Sequence, residues 1–550
     1  MNMKSRRILA LLLCAVLALS VMTSCKNGSK VSSGSSSAAG DADSEPDSTG
    51  EDPNQENPES GDVTDSGDGT SNGGGTTAPG ASTKPGQGGS TAPGDTTYWA
   101  NVTNFNEAFG GLKFDAKTVD LKGKTVTIAE WEPISRKVRG AKDLSQTEKE
   151  YYWQVEHIEK LFNCKIEFKN CGAYNIYLEN LVKSSASETP YVDLAVGRMG
   201  EISQLTKNGY FRSIDSFVDY ASANFAPAKE FSKFLDNKHY GVMLGIPSPY
   251  VCMYNPKLIK DSGATDPMTY YQQGKWNMDA FEEIARKCTN LTGATKKYGI
   301  GGHSATNIGK SLFYAENLPL VYAKDGKYQC NLFTDKGKAI LEYYQKLAFT
   351  DKIVHCPFDD AKNPITSYAQ FKNGNVAMMI VPQWEPKTSM YDSGFKAFSV
   401  VPMPMGKTNK TFVTVTDTCM IRALPITSKL SEKEFLAVMM ALYGLMGGPG
   451  PGVKFKDSRL DKSYSANKYQ NFEKQMLEQN HWRTALEIKT YYDAYQKAPI
   501  TVDYFNLDPT TIEPYFNQTF ERIERGDSIT SMLTEIKSEL EGRIAKYNLK

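Results

Sequence analysis

The sequence predicts an α/β protein in which a parallel sheet carries helices on both faces. The first observation is that strand-like and helix-like segments alternate from residue 123 onward in the order β-α-β-α-β. The second is that the last of these strand-like segments, YVDLAVG, is an almost continuous apolar run, as expected of a strand buried on both faces. About 450 residues follow a low-complexity N-terminal segment, which is enough chain for two domains.

Each element of this alternation has its own signal. KTVTIAEW predicts the first strand and CKIEF alternates as the second. The segment between them, SQTEKEYYWQVEHIEKLF, predicts a helix because its apolar residues recur at helical spacing, at Tyr151, Val155, Ile158 and Phe162. NIYLENLVKSSAS predicts the second helix, and YVDLAVG follows it as the third strand.

Three later helices are predicted from caps and apolar stripes. Asn277 is the expected N-cap of a helix that buries Met278, Phe281, Ile284 and Cys288. Ser431 and Glu434 form a capping box ahead of FLAVMMALYGLM. The last helix has a stripe of residues at helical spacing: Ile529, Met532, Leu533, Ile536 and Leu540. We interpret all three stripes as core packing.

Residues 1–24 have the pattern of an export signal. Lys4, Arg6 and Arg7 precede the apolar segment ILALLLCAVLALSV, which is shorter than the roughly 20 residues of a membrane-spanning helix. The segment ends in VMTSC, which resembles a bacterial lipobox, and the resemblance implies lipidation at Cys25. The alternative is an ordinary secretory signal in which that cysteine occurs by chance.

Residues 25–98 are predicted to be a disordered tether behind the lipid anchor. The segment consists mostly of Gly, Ser, Thr, Pro, Asp and Glu, and so cannot bury enough apolar surface to offset the entropy of ordering. Residues 1–98 hold 12 of the 63 acids and 6 of the 63 bases. The remainder therefore carries an excess of about six positive charges, too few for a nucleic-acid partner.

Motifs of catalysis and metal binding are absent from the sequence. The five histidines form no HExxH arrangement, and neither G-x-S-x-G nor a Cys/His zinc spacing occurs. IGKS at 308–311 lacks the first glycine of a phosphate-binding loop. We predict neither a cofactor nor a metal, and no enzymatic activity, although a pair of glycosidase carboxylates is left open.

Several segments in a fixed order resemble the extracellular solute-binding proteins of ABC importers, in the sugar-binding family that includes the maltose-binding protein. The resemblance covers residues 122–550. Lys275 departs from the family pattern, which usually has threonine there, and residues 448–465 have no recognised counterpart. The segments that carry the resemblance are TPYVDLAVG with NGYFRSID, YGVMLGIPSPYVCMYNPKLIKDSGA, KWNMDAFEEIARKCT, FKNGNVAMMIVPQW and FSVVPMPMGK.

The resemblance implies a type II periplasmic-binding-protein-like fold, with two α/β lobes and a ligand cleft between them. By analogy, lobe one takes residues 122–246 and 417–452, and lobe two takes 250–412 and 453–550.

The chain would cross between the lobes near Ile246–Val251 and again near Val413–Cys419. Pro247 and Pro249 suit a hinge, because each fixes one backbone angle and leaves rotation to its neighbours.

The stretch FKNGNVAMMIVPQWEP contains the main candidate site. VAMMIV predicts a buried strand of lobe two, and ligands of open α/β sheets bind outside the carboxyl ends of the strands. Trp384 matches the family's stacking tryptophan, and Gln383 and Glu385 have the polar groups that sugar hydroxyls need. The alternative is that Trp384 packs in the core.

Five further residues are candidate ligand contacts, each with a structural alternative. Trp131 follows the first strand, and surface packing is equally compatible with its position. Arg198 follows the third strand, Tyr250 and Asp417 lie at the two crossings, and His303 lies in YGIGGHSA. An exposed arginine without a ligand is the alternative for Arg198.

These inferences predict a lipid-anchored, monomeric protein that binds a sugar or oligosaccharide and delivers it to an ABC permease. The long tether favours the outer face of the membrane of a Gram-positive-type bacterium. A sensor or scaffold lipoprotein of the same fold is one alternative, and a surface carbohydrate-active enzyme is another. Sugar acids and peptides also remain open as ligands, and pairing of Arg198 with a carboxylate would favour an acidic sugar.

Overall fold

The computed structural model describes residues 102–548, apart from 103–104, 131–138, 223, 226–228, 230–232, 235, 244–248, 357–365, 418–419, 446–483, 496–497 and 509–510. The helices of the described residues are α1 Phe105–Phe109, α2 Gln146–Phe162, α3 Tyr174–Ser187, α4 Met199–Lys207, α5 Pro256–Asp261, α6 Pro267–Gln272, α7 Met278–Cys288, α8 Ala305–Ala315, α9 Asp335–Gln345, α10 Ser367–Lys372, α11 Glu432–Leu445, α12 Ala485–Tyr495, α13 Glu513–Glu524 and α14 Ile529–Ala545.

The strands of the described residues are β1 Thr125–Glu130, β2 Lys165–Asn170, β3 Ala195–Arg198, β4 Gly241–Val242, β5 Tyr250–Tyr254, β6 Tyr298–Gly301, β7 Val321–Lys324, β8 Lys327–Cys330, β9 Val376–Pro382, β10 Ser399–Pro402, β11 Thr414–Thr416, β12 Met420–Ala423 and β13 Ile500–Val502.

The predicted β-α-β-α-β order is present at the start of the described fold. β1 pairs with β2 in parallel, from Thr125 opposite Lys165 to Glu130 opposite Asn170. Ser145 caps α2 in a capping box with Glu148. The alternation of strands and helices predicted for this region is therefore confirmed.

The third strand is shorter than the apolar run YVDLAVG predicts, because the side chain of Asp193 accepts hydrogen bonds at the start of that run. It accepts from the backbone N–H groups of Thr127, at 3.0 Å, and Lys429, at 3.0 Å, and from the Ser428 hydroxyl, at 2.9 Å. Regular pairing begins only at Ala195, where β3 meets β12 in antiparallel register.

A four-stranded sheet with the order β10-β5-β9-β6 forms the centre of the second half of the fold. Every residue of β9 is buried, as the sequence VAMMIV predicts. β6 runs parallel to β9, whereas β5 runs antiparallel to it and pairs Tyr250 with Pro382. The carboxyl ends of β6 and β9 and the beginning of β5 therefore lie at one edge of this sheet.

A second, two-stranded parallel ladder joins β11 to β13, with Thr416 opposite Val502. The ladder continues for one more hydrogen bond, since the backbone N–H of Asp503 donates to the carbonyl of Thr416 at 2.9 Å. Asp417 and Asp503 thus follow the two strands at equivalent positions.

The predicted caps of α7 and α11 and the predicted apolar stripes of α7 and α14 are confirmed. The Asn277 side chain accepts from the N–H groups of Asp279 and Ala280 at the start of α7. Ser431 and Glu434 form the reciprocal capping box of α11. The apolar stripes of α7 and α14 are buried as predicted.

The cysteines that the structure describes are buried and are not joined to one another by disulfides: Cys164, Cys171, Cys252, Cys288, Cys330 and Cys356. Burial raises the pKa of the Cys252 and Cys330 thiols, which keeps them protonated. None of the described helices combines the length and the apolar composition needed to cross a bilayer.

Candidate ligand-binding site

Polar and aromatic side chains gather at the edge of the four-stranded sheet where β6 and β9 end. His303 lies just after β6 and is exposed. Gln383, Trp384 and Glu385 follow β9, and the N–H of Gln383 donates to the carbonyl of Pro249 at 3.0 Å. This bond ties the loop after β9 to the residue immediately before Tyr250.

The three residues that follow β9 differ sharply in exposure. Trp384 is 42% exposed, whereas Glu385 is only 3% exposed. Gln383 is half-buried and precedes both along the chain. Trp384 is therefore a surface residue and does not pack in the core.

Lys310 is the centre of the buried part of the site. It lies on α8, is 3% exposed, and forms an ion pair with Asp417. Its ammonium group lies 4.3 Å from the centroid of the Phe505 ring and 5.5 Å from that of Tyr250. Burial opposes the charge of Lys310, but the Asp417 carboxylate and the Tyr250 hydroxyl together raise the pKa of the lysine.

Tyr314, one helical turn after Lys310, holds the second aspartate of the parallel ladder. Its hydroxyl donates to Asp503 at 2.9 Å. Asp503 also accepts from the backbone N–H groups of Leu320, at 2.8 Å, and Val321, at 2.9 Å. Burial raises the pKa of Asp503 to about 6 despite these donors. Successive turns of α8 therefore anchor the loops after β11 and β13.

Glu385 is a buried carboxyl group. Within the described residues, its Oε2 atom is buried and has no hydrogen-bond partner. Burial raises the pKa of Glu385 to about 7, and the charge of Lys310 opposes this shift. We name Tyr250, Lys310, Glu385 and Asp417 the Lys310 cluster.

Arg198 is already paired within the protein. Its Nε donates to Glu201 at 2.8 Å, and its guanidinium lies 5.5 Å from the centroid of the Tyr174 ring. Burial raises the pKa of Glu513, while the charges of Arg198 and Lys310 oppose that shift. Arg198 thus belongs to the charged surroundings of the site, but it is not an unpaired cation awaiting a carboxylate.

A cavity of about 340 Å³ adjoins these residues, and we name it the His303 cavity. It lies between the start of α8 and one face of α13, and Thr306 donates to Asn517 across it at 2.6 Å. Its lining combines hydroxyl, amide, carboxylate, imidazole and aromatic groups. The lining residues are His303, Ser304, Ala305, Thr306, Asn307, Phe505, Glu513, Asn517 and Glu521.

The structure brings most of the predicted site residues together. Tyr250 and Asp417 meet at Lys310, and the charge of Lys310 acts on the pKa of Glu385. The pKa of Glu513, which lines the His303 cavity, responds to the charges of Arg198, Lys310 and Asp417. Trp131 and Cys25 lie outside the described residues. No group of three potential metal-ligating side chains is arranged for an ion in the described part of the chain.

Sequence reasoning did not identify Lys310, Asp503, Glu513 or Asn517 as part of the site. One signal was available, because β11 and β13 are both followed directly by aspartate, in TVTD and ITVD. Two parallel strands with the same ending place their acids at the same edge. Lys310 was considered only as part of a failed phosphate-loop motif.

The fold and the site define a ligand-binding protein with a mixed α/β architecture. Residues 153–441 match the model of the bacterial extracellular solute-binding protein family, which is more than half of the chain. The chain belongs to this family. None of the curated proteins compared with the chain matches it.

Solved structures with the type II periplasmic-binding-protein-like fold match the described architecture. A sugar transporter protein from Rhizobium etli, in an open conformation, has a TM-score of 0.54 and 16% identity, over 76% of this chain and 99% of its own. The cyclic alpha-maltosyl-1,6-maltose binding protein from Arthrobacter globiformis has a TM-score of 0.54 and 15% identity, over 77% and 99%. UgpB from Mycobacterium tuberculosis, in complex with glycerophosphocholine, has a TM-score of 0.50 and 14% identity, over 76% and 98%. At these identities the likeness shows the fold, which is the fold class that the sequence predicts.

Proposed function

We propose that this protein is a lipid-anchored, monomeric solute-binding protein that captures a sugar or a small oligosaccharide and hands it to an ABC permease. The observation that carries the proposal is the sheet edge where exposed Trp384 adjoins the Lys310 cluster. A sugar ring has apolar C–H faces that stack on an indole and a rim of hydroxyls that need acceptors. The sheet edge offers both kinds of contact.

The relatives support a carbohydrate without deciding which one. Two of the three structures described above are named for sugars, whereas the third contains glycerophosphocholine. The ion pair between Arg198 and Glu201 removes the main argument for a sugar acid, because the guanidinium already has its carboxylate. A neutral sugar is therefore the ligand class that we favour.

The proposed lobes follow the predicted boundaries: 122–246 with 417–452, and 250–412 with 453–550. Tyr250 lies in the first proposed crossing and Asp417 in the second. The ammonium group of Lys310 lies near the Tyr250 ring and pairs with the Asp417 carboxylate. Ligand would bind between the lobes and close them, which is the hinge motion of periplasmic binding proteins. Closure would present a single surface to the permease.

Isothermal titration calorimetry against a fixed panel tests this function. The panel contains glucose, galactose, xylose, maltose, maltotetraose, glucuronic acid and a tripeptide. We expect saturable binding of at least one neutral sugar, and weaker or no binding of glucuronic acid. Binding of the tripeptide alone, or of no compound, would contradict the proposal, and product formation from a bound sugar would favour the enzyme alternative.

A further inference from the structure

Lys310 is an unusual residue to find in the interior of a helix that is buried along most of its length. Ten of the eleven residues of α8 are buried, and Lys310 is among them. Burying a lysine is costly, and replacing a buried ion pair by apolar residues is often neutral or stabilising. Stability alone therefore gives a weak reason for Lys310 and Asp417 to be here.

The neighbours of Lys310 come from both proposed crossings of the chain. Asp417 is the first residue after β11, and Tyr250 is the first residue of β5. The ammonium group pairs with the Asp417 carboxylate and lies 5.5 Å from the centre of the Tyr250 ring. One side chain on α8 thus fixes the ends of two segments that are far apart in sequence.

Near Lys310, several buried side-chain oxygen atoms have no hydrogen-bond donor among the described residues. Asp417 uses Oδ2 for Lys310, but within the described residues its buried Oδ1 has no partner. Asn506 donates to the backbone carbonyl of Asp417 at 2.9 Å, while its own Oδ1 is also buried and unpartnered there. Glu385 Oε2 is the third such atom. Buried acceptors require donors, and a hydroxyl-rich ligand supplies them.

We propose that Lys310 is a positioning residue of the ligand site, which holds Asp417 and Tyr250 at the ends of the two crossings so that Asp417 Oδ1 accepts a ligand hydroxyl. This inference rests on the proposed function. It assigns to Lys310 a part in ligand binding that neither a motif nor exposure reveals. Lys310 acts through Asp417 and does not itself touch the ligand.

A double-mutant cycle on the full-length chain, purified in detergent, tests the proposal. The four proteins are the wild type, K310M, D417N and K310M/D417N, and the probe is maltotetraose or the tightest-binding sugar of the panel. Each single variant is expected to bind about tenfold or more weakly, because a charge-assisted contact is lost. The double variant should bind within about twofold of the weaker single variant, since Lys310 acts through Asp417.

Stability is measured on the same four proteins by urea unfolding. K310M leaves a buried charge unpaired and should lower stability, while the double variant should recover part of it because both charges are gone. If the double variant recovers stability but not affinity for the sugar, Lys310 acts by positioning Asp417. K310R keeps the positive charge and should therefore bind the sugar more tightly than K310M does. Additive losses of affinity, or affinity that returns together with stability, would overturn the proposal. K336M, at an exposed lysine of α9, is the matched control.

Hydrogen exchange makes the inference independent of the ligand. In K310M, the amides of β5 and β11 should lose protection together, while those of β1 and β2 keep theirs. If no panel sugar binds to the wild type, the proposed function fails, and this measurement still decides whether Lys310 holds both crossings. Unchanged protection of either strand would refute the inference even if sugar binding is established.

Discussion

Lys310 and Asp417 form a buried ion pair that joins the second turn of α8 to the loop after β11. The two residues are 107 positions apart in the sequence. Their contact brings a helix that follows β6 of the four-stranded sheet next to the end of a separate parallel ladder. The polar centre of the site is thus built from distant parts of the chain.

Replacing Trp384 by alanine should weaken sugar binding by about three- to tenfold, because the ring face of an exposed indole is lost as a stacking surface. Calorimetry with the tightest-binding panel sugar measures the change. Trp153→Ala is the matched control, since Trp153 on α2 is 43% exposed and Trp384 is 42% exposed. Equal affinities of wild type and Trp384→Ala would remove Trp384 from the site.

Glu385→Gln should change how stability depends on pH. Burial raises the pKa of Glu385 from 4.5 to about 7 in the folded chain. Between these values the folded chain binds more protons at this group than the unfolded chain does, so the group destabilises the fold progressively as the pH rises. The free energy of unfolding of the variant, relative to wild type, should therefore increase by about 1–3 kcal/mol from pH 5 to pH 8.

Urea unfolding at several pH values measures this difference. Asp503 titrates in both proteins and cancels from the comparison. Glu342→Gln, which changes an exposed glutamate of α9, is the matched control. A flat difference curve for Glu385→Gln would mean that burial does not raise the pKa of Glu385.

Gly309→Ala should destabilise the protein by about 1–3 kcal/mol because it overpacks the contact between α8 and α13. A Cβ atom at Gly309 would lie 2.1 Å from Cδ1 and 2.2 Å from Cε1 of Phe520. Gly542→Ala, on α14, is the control, because a Cβ atom added there would meet nothing within 4 Å. Alanine is the better helix former, so this variant should be more stable than the wild type by about 0.5–1 kcal/mol.

Both variants are compared with the wild type by urea unfolding. If the dependence of the free energy of unfolding on urea concentration is unchanged, a shift of the midpoint reports a change in stability. If Gly309→Ala were as stable as wild type, α8 and α13 would have to be able to separate. That freedom would also enlarge the His303 cavity that they border.

Cys25→Ala should abolish lipid attachment if the resemblance to a lipobox is meaningful. Expression in a bacterium fed labelled palmitate should give a labelled wild-type protein in the membrane fraction, and an unlabelled variant. Cys14→Ala lies in the apolar part of the signal and should leave labelling intact. Labelled Cys25→Ala protein would exclude Cys25 as the attachment site.

Local sequence patterns predicted much of the fold because their physical causes are local. The run VAMMIV predicts burial without reference to any partner, and β9 is buried throughout. The caps at Asn277 and Ser431 likewise depend on a few neighbouring residues. The beginning of the third strand was misjudged because Asp193 bonds to Ser428 and Lys429, more than 200 positions away.

The site was predictable only in part, for the same reason. Trp384 and Glu385 were predicted from a loop that follows an apolar strand, and Tyr250 and Asp417 from family resemblance. Nothing next to Lys310 distinguishes it from the other lysines, since its counter-ion and the Phe505 ring come from remote segments. A charge that is buried through tertiary contacts leaves no local periodicity to detect.

The buried thiols give this protein an internal reporter. Each of the six described cysteines is shielded from reagent in the folded chain, and none depends on oxidation for its place in the core. Alkylation of each thiol by iodoacetamide should therefore proceed only as fast as the surrounding region opens. Mass spectrometry of the alkylated peptides would give that opening rate for each cysteine. Production in a reducing cytosol, which would leave the chain without its lipid, should yield the same fold of the described residues, because no disulfide among them has to form.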